Sequence, residues 1–502
     1  MARSLGSERL IARAPEGAQA QRYDLAVVGG GIHGACVALE ATRRGLQVLL
    51  LEAADFGSGA SGNSLRILHG GLRYLQSADL LRFYESVAER RWYARTFPQL
   101  VDPLPCLMPL YGEGLKRRSV MRAALTMNDW LACHRNEGVA ARVQLPTSST
   151  LSARDTQARF SAVRTDGLEG AALWYDYRMR SSERILIEIL HWACRLGARA
   201  LNYAKVIGLQ SERGLVRGVE VEDQLTRERY EFRADRVCNC TGSQTRAFAA
   251  RYEREYPEMF IPSLAFNVLF DCEPLSGDAL GVAAPEAGAP VYFLSPSPFG
   301  LWAGTEHVAR PDGCSDAAVT QSELIDFTQR INRAIPSAGL SLGSIRRVFS
   351  GLLPVRASGT TDLTSREVIV NHANRGGPRG LYSVTGIKFT TARKVAERAV
   401  SEMLGSRPGT SLPGEIPALC PATDFLLHGA RAAAMGEDEA VRAIGAVAAA
   451  ESAMTAQDFC LRRTNWVFTA PEYARLEGLA VEALRGRPAA TTVAGDSASL
   501  YV

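Results

Sequence analysis

One stretch limits what this chain can fold into more than any other: residues 23–52, YDLAVVGGGIHGACVALEATRRGLQVLLLE. Residues 23–28 form an apolar run of strand length. Gly29, Gly31 and Gly34 follow as G-x-G-x-x-G. The spacing predicts a helix over 33–44 closed by Gly45, then a second apolar strand over 46–51 ending at Glu52. Each residue type has a task. Gly29 permits a sharp turn, Gly31 lets backbone N–H groups approach a pyrophosphate, and Gly34 lets helix and strand pack closely. The helix N-terminus offers unpaired N–H groups and a partial positive charge. Glu52, about 20 residues on, is placed to accept hydrogen bonds from ribose hydroxyls. A glycine-rich turn alone says little. A turn that leaves a strand, opens a helix and has its acid at this offset predicts a dinucleotide-binding βαβ unit.

The chain has 502 residues, too many for one core, so two or three domains are expected. A formal net charge of +4 is too small on this length to argue for nucleic acid. No apolar run approaches the ~18 residues of a membrane span. Residues 1–22 lack the continuous apolar core of a signal peptide and are expected to fray. The 10 cysteines contain no C-x-x-C pair, and Cys238 and Cys240 alternate in a strand-like run as small buried residues. A reducing cytoplasm, no structural disulfide and no zinc site are expected.

Beyond Glu52 lies a small-residue loop, AADFGSGASGNS, suited to lying flat against a cofactor; it contains Ser61 and Ser64. It leads into RILHGGLRYLQ, where Gly70 and Gly71 allow close backbone approach and His69, Arg73 and Tyr74 supply polar tips. Helical spacing follows over 80–97. Residues 115–135 read as a helix with a basic start (Lys116, Arg117, Arg118, Arg122) and Leu125, Trp130 and Leu131 further on. Such a helix either lies on an anionic membrane surface or packs its apolar face on the core with a solvated end. Residues 136–170 are polar and loop-rich. A helix over 183–197, a strand over 198–209, a hairpin over 216–232 and a strand over 235–240 running into Thr241-Gly242 come next. From 261 to 306 short alternating strands predict an antiparallel sheet. A helix over 316–335 and strands over 345–370 follow. Residues 380–400 read strand, glycine turn, helix, with Gly386 and Lys388 at the turn and Thr390 and Thr391 placed to cap the helix.

Either NAD or FAD fits the fingerprint. An N-terminal fingerprint, a second-domain sheet and a late glycine turn favour FAD. Four motifs then carry a resemblance: GGGIHGA (29–35), SLRILHGGLRYL (64–75), NCTG (239–242) and TGIKFTTAR (385–393). Together with AAAESAMTAQDFCLRRTNW (448–466), they resemble the FAD-dependent glycerol-3-phosphate dehydrogenases, over about residues 22–470.

The resemblance implies an α/β, Rossmann-like FAD-binding domain, an antiparallel-sheet substrate or cap domain and an α-helical C-terminal domain. The expected division is a flexible extension over 1–21 and an FAD-binding domain from 22–115, 171–245 and 345–405. A cap domain takes 116–170 and 246–344, a helical domain 406–485 (entered by a Pro/Gly/Ser linker over 406–413), and a disordered tail 486–502. The implied reaction oxidises the secondary hydroxyl of sn-glycerol 3-phosphate to dihydroxyacetone phosphate, with hydride passing to flavin N5 and electrons then to quinone or another acceptor. Arg73 and Tyr74 are implied at the substrate, Lys388 beside flavin and substrate oxygen, and Arg366 at the substrate phosphate. Gly29, Gly31, Gly34, Glu52, Ser61, Ser64, Gly70, Gly71, Val206, Thr241, Gly242, Gly386, Lys388 and Thr390 are the expected FAD contacts. His69 stands open between catalytic base, structural histidine and point of covalent flavin attachment. A small-molecule substrate and a cytoplasmic location are implied; peripheral contact with the inner membrane face and a homodimer stay open.

Three positions depart from the family pattern. Leu353, in SGLLP, stands where the family carries a substrate-facing Arg; Ile387 replaces a Gly and Ala392 a Tyr. Losing one cation from a desolvated phosphate site costs a few kcal/mol, roughly. Arg356 is a candidate replacement. The alternative is an enzyme of the same fold acting on a different small hydroxy or amino compound.

Overall fold

The computed structural model describes residues 11, 13–112, 114, 117–286, 288–406, 434–468 and 473–485. The expected linker beyond Ser406 and the tail over 486–502 lie outside the described residues. At the centre is a six-stranded sheet in the order Val368–Asn371, Leu381–Thr385, Val237–Asn239, Leu25–Val28, Val48–Leu51, Arg199–Leu201. All its pairings are parallel except that of Val368–Asn371 with Leu381–Thr385.

Both faces of this sheet are covered, which explains its continuous apolar runs. Leu25, Val27, Val48 and Leu50 face the helices Ile32–Arg43, Ser182–Arg195 and Ala392–Leu404. Ala26, Val28, Leu49 and Leu51 face a four-stranded sheet built from Arg22–Tyr23, Ala204–Glu212, Leu215–Asp223 and Arg229–Ala234. The strand expected over 198–209 is therefore two strands. Tyr203, with φ of +52°, breaks it so that the chain passes from one sheet to the other.

A nine-stranded sheet forms the second layer system. Its antiparallel run Ile345–Pro354, Pro262–Phe270, Gly300–Ala309, Val291–Ser297 packs one face on the helix Gln321–Ala334. Val101–Leu110, Gly170–Met179 and Ile345–Pro354, grouped by sequence with the cofactor-binding unit, pair in this sheet instead. Two prolines early in Val101–Leu110 and an acid in Gly170–Met179 hid their strand character.

The N-terminal segment is not frayed where it is described. Residues Pro15–Gln19 form a short helix, Ile11 is fully buried, and Arg13 pairs with Asp223. Among the C-terminal residues, Glu437–Ala450 and Tyr473–Ala483 are helices around their own apolar cluster. Buried ion pairs join them to the rest. Arg462 and Arg463 bind Asp55, and Glu451 receives Arg184 and His191.

Candidate active site

The first turn is built as the glycines demand. Gly29 has φ of +108°, and a Cβ there would lie 2.5 Å from the carbonyl oxygen of Cys240. A Cβ on Gly34 would lie 1.8 Å from the carbonyl oxygen of Gly29, so the helix can approach its strand only without one. Gly31 begins the helix, and a Cβ there would meet only Ser61 Oγ, at 3.1 Å. Ile32 N–H donates to Ser61 Oγ at 2.9 Å. Other N–H groups of the first turn have no intrahelical acceptor and favour an anion. Glu52 accepts from Gly30 N–H at 2.6 Å and Ala54 N–H at 2.9 Å. Burial raises its carboxyl above the ordinary value, against those bonds.

Of the other expected contacts, Thr241 and Gly386 lie against this turn and its helix. Thr241, just beyond Val237–Asn239, lies beside Gly29, and its hydroxyl donates to Asn239 Oδ1 at 2.7 Å. Gly242 opens the short turn after it. Val206 follows Ala204, whose N–H donates to the Glu52 carbonyl at 2.7 Å. Ser64 Oγ accepts from Arg66 N–H at 3.3 Å. Gly386 packs on the first helix, where a Cβ would lie 2.0 Å from His33 Nε2. Thr390 is buried, and Thr391 is the N-cap of Ala392–Leu404 without a side-chain capping bond, contrary to expectation. This donor set and glycine cradle fit an FAD: the Gly31 turn would hold its pyrophosphate and Glu52 its ribose hydroxyls.

At the other end of the cradle, Arg73, Tyr74 and Lys388 come together. Lys388 Nζ is 4.3 Å from the centre of the Tyr74 ring, a cation–π contact. Solvent reaches Lys388, yet the protein packed around it, and next the charge of Arg73, lower its ammonium to about 8. His69 is 48% exposed, and its Nδ1 is 3.0 Å from Asp176 Oδ2. Asp176 also accepts from Gly70 N–H and from Arg90, each at 2.8 Å. These partners, His69 first, hold the Asp176 carboxyl down at about 2 although burial opposes it. An ionised Asp176 selects the Nδ1–H tautomer of His69 and leaves Nε2 as the free lone pair.

Gly70 has a steric reason of its own. A Cβ there would lie 2.1 Å from an Arg90 guanidinium nitrogen, so Gly70 makes room for the charge that anchors Asp176. Gly71 has φ of +88° and begins the short helix Leu72–Leu75 that carries Arg73 and Tyr74.

Two further expected residues lie on exposed loops. Arg366 is exposed on the loop before Val368–Asn371, and no contact among the described residues ties it to Arg73 or Lys388. Arg356 is also exposed, past the end of Ile345–Pro354. Leu353 itself shares a strand face with Gly351, whose Cβ would lie 3.0 Å from Ala60 Cβ in the loop after Glu52. That face is the one turned toward the cradle.

Asp176, Arg90 and His307 escaped the sequence analysis. Asp176 had a signal, an acid inside the apolar run LWYDYRM; Arg90 and His307 had none, because their positions depend on packing between distant segments.

Residues 24–400 match the family model described as FAD dependent oxidoreductase. A curated glycerol-3-phosphate dehydrogenase of Synechocystis is 30% identical over 437 residues, covering 82% of this chain and 74% of that protein. An alpha-glycerophosphate oxidase of Enterococcus casseliflavus is 30% identical over 341 residues, 66% of this chain and 54% of that protein. The structure of a glycerol-3-phosphate dehydrogenase from Bacillus halodurans with FAD superposes with a TM-score of 0.65 at 21% identity, covering 95% of this chain and 97% of that one. The chain therefore belongs to the FAD dependent oxidoreductase family, and its curated relatives include proteins named glycerol-3-phosphate dehydrogenase and alpha-glycerophosphate oxidase.

Proposed function

We propose that this flavoprotein oxidises the secondary hydroxyl of sn-glycerol 3-phosphate to dihydroxyacetone phosphate. The observation that carries the reading is the convergence of Arg73, Tyr74 and Lys388, with His69, four residues before Arg73 in the chain, held by an ionised carboxylate. The bound flavin supplies the two-electron acceptor. Arg73 provides a planar cationic fork for the phosphate. The Lys388 ammonium, predominantly protonated at neutral pH, faces negative charge developing on the carbinol oxygen. His69 Nε2 takes the hydroxyl proton, and Asp176 stabilises the resulting imidazolium.

Electrons then leave to a quinone, a membrane-dissolved acceptor. The helix Arg118–Leu131 supports this part of the reading. It buries Met121 and Leu125 but leaves Val120, Met127 and Trp130 exposed, Trp130 by 74%. Leu80, Leu81 and Tyr84 are exposed on the neighbouring helix Leu80–Thr96, and Arg117, Arg118 and Arg122 are exposed beside the first group. An apolar face rimmed by arginines suits an anionic bilayer surface. Among the described residues no helix is long and apolar enough to cross a membrane.

The test is anaerobic mixing of the purified holoprotein with sn-glycerol 3-phosphate, followed at about 450 nm, where oxidised flavin absorbs. Rapid bleaching is expected. A flavin that dithionite reduces but this substrate does not would overturn the assignment and favour another small hydroxy or amino compound, with Leu353 as the motive for that second reading.

A further inference from the structure

Three neighbouring strands place His307 on the cradle face of the large sheet. Ala265 pairs with Gly351 on one side and with His307 on the other. Directly cross-strand residues share a face, so Gly351, Ala265 and His307 form one row. Gly351 meets Ala60 of the loop after Glu52, and Asn267, two residues along from Ala265, donates to the Asn63 carbonyl at 3.0 Å. The row therefore lies under that loop. Ala265, directly beside the imidazole, is small, and the missing side chain of Gly351 is what lets Ala60 approach.

The surroundings of His307 are unlike those of the other described histidines. Each of the others has a carboxylate at hand: Glu367 for His33, Asp176 for His69, Glu137 for His134, Glu451 for His191, Glu253 for His372. His307 has Arg73 instead. Burial and that positive charge both lower its pKa, and its buried Nδ1 has no hydrogen-bond partner. Glu306, next in sequence, is engaged by Tyr292 and Arg330. The charge of Arg73 bears on Lys388 as well as on His307, and no carboxylate bears on either, so three potential cations from three parts of the chain face one region. Like charges gathered in this way are stabilised when an anion arrives.

We propose that His307 is a substrate-binding residue: with Arg73 it holds one anionic group of the substrate against the sheet face, leaving Lys388 for the reacting end. The proposal deepens the reading given above and rests on it. An imidazole here supplies part of the anion binding that an arginine at 353 would otherwise provide.

Two measurements on the holoprotein test it, each with wild type, His307→Gln and His307→Asn. The first is titration with sulfate, a dianion whose charge is constant over the pH range used, read by perturbation of the flavin spectrum. In wild type, sulfate binding weakens as His307 deprotonates with rising pH; in both variants the Kd rises about 10- to 100-fold at low pH and that pH dependence disappears. The second is anaerobic flavin reduction by sn-glycerol 3-phosphate. Half-saturation rises by a similar factor, while the limiting rate changes by less than about threefold. An unchanged Kd and half-saturation in the variants overturns the proposal, as does loss of flavin from both, which makes His307 structural. Sulfate binding that depends on His307 in a protein the substrate does not reduce supports the anion site and refutes the substrate. Reduction whose saturation ignores His307 refutes this proposal alone.

Discussion

Replacing Arg463 by Met tests whether the C-terminal helices hold the cofactor loop in shape. Asp55, three residues beyond Glu52, is fully buried, and so is Arg463. Arg463 grips the Asp55 carboxylate with two bonds, of 2.7 and 2.8 Å, and also donates to the Glu451 carbonyl at 3.0 Å. Arg462 and Asn202 add bonds of 2.8 Å each to Asp55. Against burial, Arg463 and then Arg462 depress the Asp55 carboxyl from 3.8 to about 2. That depression corresponds to roughly 2 to 3 kcal/mol. Arg463→Met removes the bidentate partner and leaves a buried carboxylate half compensated, so a loss of about 3 kcal/mol is expected. The sign with pH follows. A depressed carboxyl contributes its stability above the unfolded value near ~3.9 and loses it as pH falls toward ~2. Arg463→Met lacks most of this contribution at neutral pH and is correspondingly less sensitive across that acid window. The assay is urea unfolding of the holoprotein, followed by flavin release and tryptophan fluorescence, in a cycle of Asp55→Asn, Arg463→Met and both. A single-variant loss below about 1 kcal/mol, with additive effects in the cycle, would refute the coupling.

Three further outcomes are expected. Lys388→Ala keeps FAD bound and slows flavin reduction by about 100-fold or more; wild-type kcat/KM falls as pH rises through about 8, where Lys388 loses its proton, and Lys388→Arg abolishes that limb. Normal turnover by Lys388→Ala would remove Lys388 from the site. Gly34→Ala places a Cβ 1.8 Å from the Gly29 carbonyl oxygen, so the purified variant is colourless; a fully yellow protein would show that the turn yields. Trp130→Asp reduces co-sedimentation with anionic vesicles without altering flavin content, and unchanged sedimentation would make that exposed face something other than a bilayer contact.

Local chemistry determined what local sequence displays. The turn at Gly29, Gly31 and Gly34, its helix and Glu52 are legible because each acts within some thirty residues and each task admits few residue types. The turns carrying Arg73 with Tyr74 and Lys388 are legible for the same reason. Only the tertiary structure decided what those turns face. Asp176 and Arg90 reach His69 from a strand and a helix distant in sequence, because Gly70 leaves the guanidinium room to enter. Strand register, which no local pattern encodes, put His307 in a row with Gly351 under the loop after Glu52. Arg366 and Arg356, on loops beside their strands, stay exposed. Sequence alone thus specified a flavin fold and its turns, whereas the surroundings of each polar tip came from long-range packing, because burial and neighbouring charge are properties of the assembled chain.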